Sequence, residues 1–295
     1  MRFSRVALYF VFVVFFTMFN FYYRPVKSNT LVTDSYKKSE AYVNNLYKSD
    51  EYFKKKLVNK EYYYIYDQMI NDSVSGVEET NILCTGDCID EFQNIYKALY
   101  LDHPELISFQ SIMGARISSS EIKIKYNNLS SLQSYLGTRR IEREIDLIKK
   151  ETKGMSDQEK IIYVYDYVAK HQYDHIFMYS KGNQSAYSFF TKGISVCAGF
   201  AKASQIIFQN IGINSYLVMD DDHMWNYVEY NKKYYVFDAT MGASLFTKDN
   251  TYFYDGLGET TVGVTTGFYP EFYPKIEDDK LEDLFNLQEK KFTKK

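Results

Sequence analysis

Cysteine is scarce in this chain, with three residues in 295. Cys84 and Cys88 lie close together, and Cys197 stands alone. Outside the cell, a close pair plus one remaining cysteine predicts one disulfide and one free thiol. The pair has no Cys or His partners at zinc-ligand spacing, so we expect no metal site there. Two reduced structural thiols at positions 84 and 88 are the remaining alternative.

The chain also lacks an excess of basic charge. It has 35 Lys and Arg residues against 38 Asp and Glu, a formal net charge of −3, and no dense basic arm. Nucleic acid is therefore not expected as a partner. Hydrophobic residues make up 45% of the chain and charged residues 25%, which is a globular profile with ample material for a core.

One long apolar run stands at the N-terminus, from Val6 to Tyr23, after Arg2 and Arg5. At the helical rise it spans roughly 27 Å, close to the thickness of the bilayer core. The run is longer than a typical signal-peptide core, and no small-residue cleavage site follows it. We expect residues 1–24 to be a signal anchor that crosses the cell membrane once, with the remaining chain outside. A secreted protein with a cleaved signal peptide is the alternative.

Residues 25–153 are predicted to be mainly helical with one β-hairpin. Apolar residues recur at helical spacing over 62–70 and again over 90–101. Residues 71–88 are rich in Asn, Asp, Ser and Gly and predict a loop. Alternation of apolar and polar residues within 106–126 predicts the hairpin.

A second region, residues 154–295, is predicted to hold the active site. Gly154 breaks a charged helical stretch, and Ser156 with Glu159 forms a capping box that opens a helix to about Lys170. We therefore expect a domain boundary between positions 153 and 154.

Cys197 is the most informative residue of this region. Apolar residues follow it at helical spacing as far as Ile211, and Gly212 suits the end of a helix. Cys197 is thus predicted at a helix N-terminus, where the partial positive charge favours the thiolate. A buried structural cysteine is the alternative interpretation.

Three runs rich in Tyr, Val, Ile and Phe follow the helix and predict adjacent antiparallel strands. A two-residue turn at Asn231 and Lys232 places His223 diagonally opposite Asp238 on one face. An imidazole and a carboxylate at that distance can form a hydrogen bond. Such a bond fixes the ring tautomer and leaves the other ring nitrogen for Cys197.

These residues resemble the core of the transglutaminase-like superfamily, strongly over 157–242 and more weakly over 60–126. The matching positions are Cys197, Gly199 and Ala201 at the helix start, His223, Trp225 and Asn226 in the strand, and Asp238 fifteen residues after the histidine, followed by Thr240. The resemblance, to bacterial extracytoplasmic members, implies an α+β fold. In this papain-like core the nucleophile helix packs on an antiparallel sheet.

By that resemblance, Cys197 is the nucleophile, His223 the general base and Asp238 the orienting group. The chemistry implied is acyl transfer from a protein or peptide amide through a thioester, without a cofactor. The Cys197 N–H and one further group would stabilise the oxyanion, with Gln184 as a candidate, while Trp225 is a candidate for shielding the thioester. We expect hydrolysis rather than Gln–Lys cross-linking. A non-catalytic surface binding or scaffold module is the alternative.

An acidic run, Asp220–Asp222, precedes His223. Clusters of carboxylates attract hard cations such as calcium, but such a run is more often a solvated loop. The sequence therefore predicts a solvated loop and no metal at this position.

Overall fold

The computed structural model describes residues 47–106, 109–117, 120–176, 181–244, 251–260, 270–287 and 290–293. All of them belong to one compact unit. The predicted membrane anchor, residues 1–24, lies outside these ranges. Within them, no helix combines the length and the apolar character needed to cross a membrane.

The first part of the described chain contains two helices and a three-stranded antiparallel sheet. The elements are α1 (Tyr63–Ser75), β1 (Glu79–Leu83), α2 (Asp87–Asp102), β2 (Phe109–Ile117) and β3 (Glu121–Asn128), with strand order β1–β3–β2. The strand β1 corrects the prediction of a loop over 71–88. It has only five residues and a single buried side chain, Ile82, so it shows no clear alternation. A disulfide joins Cys84 to Cys88 between β1 and α2.

The middle of the chain supplies the helices that surround the site. The elements are α3 (Ser131–Glu151), α4 (Asp157–Ala169), β4 (Gln172–Tyr173), α5 (Ala186–Lys192), β5 (Ile194–Ser195) and α6 (Cys197–Asn210). The capping box of Ser156 and Glu159 is confirmed at the start of α4. A second capping box, Ser130 with Gln133, opens α3. Gly154 has a positive φ of 85°, a backbone conformation that suits glycine at this break.

The second antiparallel sheet follows α6. Its strands are β6 (Ser215–Met219), β7 (Met224–Tyr230) and β8 (Lys233–Phe237), in that order, and α7 (Ala239–Ser244) comes next. The predicted register is confirmed, since Tyr230 pairs with Lys233. Asn231 and Lys232 both have positive φ, as a two-residue hairpin turn requires.

The C-terminal elements are short. They are β9 (Thr251–Phe253), α8 (Leu281–Leu284) and β10 (Lys291–Thr293), of which β9 and β10 pair antiparallel. Single 3-10 turns occur at Lys54–Lys56, Lys60–Tyr62, Lys181–Asn183, Asp255–Leu257 and Pro270–Phe272.

Two buried hydrophobic clusters cover the sheet β6–β8. Val228 and Phe237 belong to the first cluster, together with α4, α5 and most of α6. Trp225 and Tyr227, which point the other way, join the second cluster with side chains of α1 and α2. Helix α6, which begins at Cys197, thus packs on an antiparallel sheet in an α+β fold. The boundary at 153/154 stays a prediction, and the second cluster takes side chains from both sides of it.

Candidate active site

The thiol of Cys197 stands at the first residue of α6, directly after β5. Val196 between them is extended and provides no side-chain cap to the helix. Its carbonyl accepts the N–H groups of Gly199 and Phe200 at 2.9 and 3.2 Å. Cys197 is half-exposed. The thiol therefore has access to solvent at the positive end of a helix, as the sequence predicts.

A buried polar network fixes the backbone that leads into α6. The hydroxyl of Ser195 donates to the carbonyl of Asn183 and lies 2.8 Å from the hydroxyl of Ser188. The amide of Asn183 donates to the buried carboxylate of Asp174. The N–H of Asp174 donates in turn to the carbonyl of Ser195 at 2.9 Å, so β4 and β5 are held as a parallel pair. These bonds leave the backbone before Cys197 little freedom.

The imidazole of His223 and the carboxylate of Asp238 form a buried pair. Nε2 of His223 lies 2.7 Å from Oδ2 of Asp238, and the two side chains are 4% and 1% exposed. His223 immediately precedes β7 and Asp238 immediately follows β8, so the antiparallel register brings them to the same end of the sheet.

Asp238 divides its carboxylate oxygens between two partners. Oδ1 accepts the N–H of Thr240 at 2.9 Å at the start of α7, whereas Oδ2 faces His223. The N–H of Asp238 donates to the carbonyl of Gly256 at 2.6 Å. A Cβ on Gly256 would lie 2.1 Å from the Asp238 carbonyl oxygen and 2.9 Å from the ring of Tyr165, so only glycine permits this approach. The carboxylate is therefore held toward the imidazole.

His223 links Asp238 to Cys197. Because Nε2 faces Asp238, Nδ1 is left for the hydrogen bond with the thiol of Cys197. Burial lowers the pKa of His223, but hydrogen bonds and charge from Asp238 and Cys197 outweigh burial and raise it to about 10. The imidazolium is thus favoured at neutral pH, and it is the partner that stabilises a thiolate. Three side chains in this order, Cys197, His223 and Asp238, can supply a thiolate nucleophile and return a proton to a leaving group.

Gln184 and Trp225 lie in different environments. Gln184 lines the cleft above Cys197, and its backbone carbonyl accepts from Nζ of Lys202 at 3.3 Å. Trp225 is 1% exposed and its ring stacks on that of His223, with centroids 5.6 Å apart. This location supports a packing role beneath the imidazole. The oxyanion role of Gln184 and the shielding role of Trp225 stay predictions.

A cleft of about 440 Å³ opens over Cys197 and His223. Its other lining residues are Tyr100, Tyr173, Gln184, Val196, Ala198, Met219, Met224 and the three aspartates. The carboxylate of Asp220 accepts the N–H groups of Asp222 and His223 at 3.1 and 2.8 Å, which folds the acidic run into a tight loop. Across the part of the chain that the structure describes, no group of three or more His, Cys, Asp or Glu residues could hold a metal ion.

Two tyrosines of the cleft lining, and the lysine that contacts one of them, were not predicted from the sequence as site residues. Tyr100 and Tyr173 line the cleft, and Nζ of Lys202 lies 3.5 Å from the ring centroid of Tyr100. Burial lowers the pKa of Lys202 to about 7. Tyr100 does not stand out among 30 tyrosines, whereas Tyr173 lies within the segment 157–242 that resembles the superfamily. Lys202 did carry a signal, since it is the sole charged residue of α6 and five positions after Cys197.

Comparisons with known proteins bear on this region. A solved structure described as a crystal structure of a TGase is similar at 16% identity and a TM-score of 0.31, over 46% of this chain and 44% of that chain. The chain thus spans less than half the length of that protein. No curated protein sequence matches significantly. The sequence model of the transglutaminase-like superfamily matches residues 146–239, which include Cys197, His223 and Asp238. Over these residues, the chain is similar to the transglutaminase-like superfamily.

Proposed function

We propose that this chain is an enzyme that uses Cys197 for acyl transfer from protein or peptide amides. The observation that carries the proposal is the row Cys197–His223–Asp238, in which one imidazole is hydrogen bonded to both the thiol and a buried carboxylate. The row lies at the floor of a cleft with room for a peptide segment. A scaffold or binding module has no need for all three groups in this order.

The geometry supports a two-step mechanism. The Cys197 thiolate attacks the amide carbonyl, and the tetrahedral intermediate collapses as His223 gives its proton to the leaving amine. Because Nε2 of His223 is hydrogen bonded to Asp238, Nδ1 of His223 is the nitrogen that exchanges the proton. Water, activated by the neutral imidazole, then attacks the thioester and releases the acid.

We favour hydrolysis over Gln–Lys cross-linking. Cys197 is half-exposed in an open cleft, so water can reach the thioester. This preference is testable with p-nitrophenyl acetate as acyl donor and cadaverine as acceptor. A thioester that passes mainly to water supports hydrolysis, whereas a dominant cadaverine amide would make the protein a transferase.

We further propose that the protein is anchored in the cell membrane by residues 1–24 and faces outward. The disulfide between Cys84 and Cys88 supports an oxidising compartment. Protease added to intact cells should digest residues 47–293 from the outside. Full protection in intact cells, with digestion only after lysis, would overturn this localisation.

The decisive test is the rate of iodoacetamide labelling at Cys197 as a function of pH, measured on the full chain in detergent. Wild type and His223→Ala are compared, with His175→Ala as the control because His175 is exposed. We expect rapid labelling below about pH 7 in wild type and in the control, and its loss in His223→Ala. Slow labelling that is unchanged by His223→Ala would favour the binding-module alternative.

A further inference from the structure

The hydroxyl of Tyr173 contacts the two groups of Cys197 that take part in acyl transfer. The phenolic oxygen lies within hydrogen-bonding reach of the backbone N–H of Cys197 and of its thiol. Both residues line the same cleft. When Sγ bonds to a carbonyl carbon, the carbonyl oxygen lies near both Sγ and this N–H. The phenol therefore stands beside the position of the future oxyanion.

The backbone of Tyr173 is fixed relative to the nucleophile. Its neighbours on either side are held, since the N–H of Gln172 donates to Gly193 at 3.1 Å and that of Asp174 donates to Ser195 at 2.9 Å. Tyr173 is itself the register partner of Ser195. Its ring also lies near α6, where the ring centroid of Phe200 is 6.0 Å from that of Tyr173. Fixed donors of this kind stabilise a developing charge most effectively.

We propose that Tyr173 is a catalytic residue whose phenolic O–H donates, beside the backbone N–H of Cys197, to the oxyanion of the tetrahedral intermediate. This inference rests on the proposed acyl-transfer function. It assigns to Tyr173 the oxyanion-stabilising role for which the sequence suggested Gln184. The backbone carbonyl of Gln184 instead accepts a hydrogen bond from Nζ of Lys202.

The step balances without a proton leaving the phenol. Sγ of Cys197 forms a bond to the carbonyl carbon, and the π electron pair of the carbonyl moves to its oxygen. The new anion replaces the phenolic oxygen as acceptor of the Cys197 N–H, and the Tyr173 O–H turns from the sulfur to the anion. When the carbon–nitrogen bond breaks, the carbonyl forms again and the amine takes its proton from His223.

The phenol keeps its proton under these conditions. Burial, followed by the negative charges of Cys197 and Asp238, raises the pKa of Tyr173 to about 12. Tyr173 is thus a neutral donor at neutral and mildly alkaline pH, even when Cys197 is ionised.

The test compares two probes on the full chain in detergent. Acylation by p-nitrophenyl acetate passes through an oxyanion, whereas alkylation by iodoacetamide does not. For Tyr173→Phe we expect acylation to slow by about 10- to 100-fold and alkylation to stay within about threefold of wild type. Tyr64→Phe is the matched control, because Tyr64 is exposed and does not line the cleft, and its acylation should stay within about threefold of wild type. Gln184→Ala is measured beside it as the competing oxyanion candidate.

A second variant separates donation from packing. Incorporation of 3-fluorotyrosine at position 173 keeps the shape of the ring and lowers the pH at which the phenol ionises. The alkaline limit of acylation should then move to lower pH, which a purely structural role would not cause.

Several outcomes would overturn the inference. Acylation of Tyr173→Phe at the wild-type rate would exclude donation by the phenol. Equal losses in acylation and alkylation would mean that Tyr173 only positions the thiol. Loss of acylation in Gln184→Ala alone would return the role to Gln184. If wild type itself alkylates slowly, the proposed function fails, and this inference fails with it.

Discussion

Asp238 and Lys202 are both charged side chains at positions almost closed to solvent, with 2% and 3% exposure. A buried charge is unfavourable unless other groups compensate its lost hydration. Asp238 has an imidazolium and the N–H of Thr240 as partners. Lys202 has the ring of Tyr100 and a backbone carbonyl, which are weaker partners. Neutral replacements at the two positions should therefore have opposite effects on stability.

Replacement of the Asp238 charge should remove the low-pH reactivity of Cys197. Asp238→Asn keeps the size of the side chain but withdraws the group that chiefly opposes burial in raising the pKa of His223 to about 10. With a lower His223 pKa, the imidazolium no longer supports the thiolate. At about pH 6 we expect labelling at least tenfold slower than in wild type, and acyl-transfer activity lower by about 10³–10⁴-fold.

The control for this substitution is Asp222→Asn, which removes a carboxylate from the same cleft. Above about pH 9 the rates of all three proteins should converge, because a cysteine thiol then ionises without assistance. Equal rates of Asp238→Asn and wild type at pH 6 would contradict a working Asp238–His223 pair.

Removal of the Lys202 charge should stabilise the protein at low pH. The folded-state pKa of Lys202 is about 7, while a lysine in an unfolded chain titrates near 10.4. Between these values the unfolded state binds more protons, so wild-type stability rises with pH. Below about pH 7 the penalty is complete, and Lys202→Met should raise the free energy of unfolding by up to about 4–5 kcal/mol.

Urea unfolding at pH 6, 8 and 10 measures this difference. The gain from Lys202→Met should shrink across the series, while the exposed Lys192→Met should show no trend. If the gain in the free energy of unfolding were the same at all three pH values, the charge of Lys202 would not be the cause of its destabilising effect.

At the scale of elements, prediction from sequence succeeded where local chemistry decides the structure. The capping box of α4, the start of α6 and the two-residue turn between β7 and β8 each depend on residues next to one another. The sequence did not predict the strands β1, β4 and β5. β4 and β5 have two residues each, and their pairing with one another depends on a buried network between distant residues rather than on alternation.

The start of α6 gives an element-scale prediction. A Cβ at Gly199 would lie 1.9 Å from Oγ of the buried Ser195 and 2.9 Å from the carbonyl of Ser185. Neither atom can move without disturbing the network under the nucleophile. Gly199→Ala should therefore cost about 1–3 kcal/mol in the free energy of unfolding and slow iodoacetamide labelling.

Gly137→Ala on α3 is the matched control for this substitution. Its Cβ would lie 2.3 Å from ring carbons of Tyr187, and that half-buried side chain can turn away. We expect a smaller cost, partly offset by the better helix propensity of alanine, about 1 kcal/mol. An equal cost for both variants would contradict the special rigidity of the Ser195 network.

At the scale of the molecule, the sheet β6–β8 is buried on both faces. One cluster comes from the helices around Cys197, and the other comes largely from residues before position 127. The sequence predicted the order of elements in each half but not their shared core, because long-range packing between Trp225 and α1 or α2 leaves no local pattern. The N-terminal half therefore supports the face of the sheet that lies beneath His223.

The cysteine arrangement gives a prediction for the whole molecule. The folded, unreduced protein should show one reactive thiol, from Cys197, and three after unfolding and reduction. Because the Cys84–Cys88 bridge closes a short loop, its reduction should lower the free energy of unfolding by about 2 kcal/mol.

Thiol titration and urea unfolding with and without reductant test both numbers. Cys197→Ser is the control and should leave no reactive thiol before reduction. Three thiols in the unreduced protein would contradict the Cys84–Cys88 disulfide. The proposal that the protein lies in an oxidising compartment would then lose this support.

The contact between Asp238 and Gly256 has a consequence for biosynthesis. A ribosome completes Cys197, His223 and Asp238 before it reaches Gly256, so the nascent chain carries all three groups while the backbone of Asp238 still lacks its acceptor. The full arrangement can form only after the later segment has emerged and docked. The order of synthesis thus leaves the backbone of Asp238 without its acceptor until most of the chain that surrounds Cys197 is present.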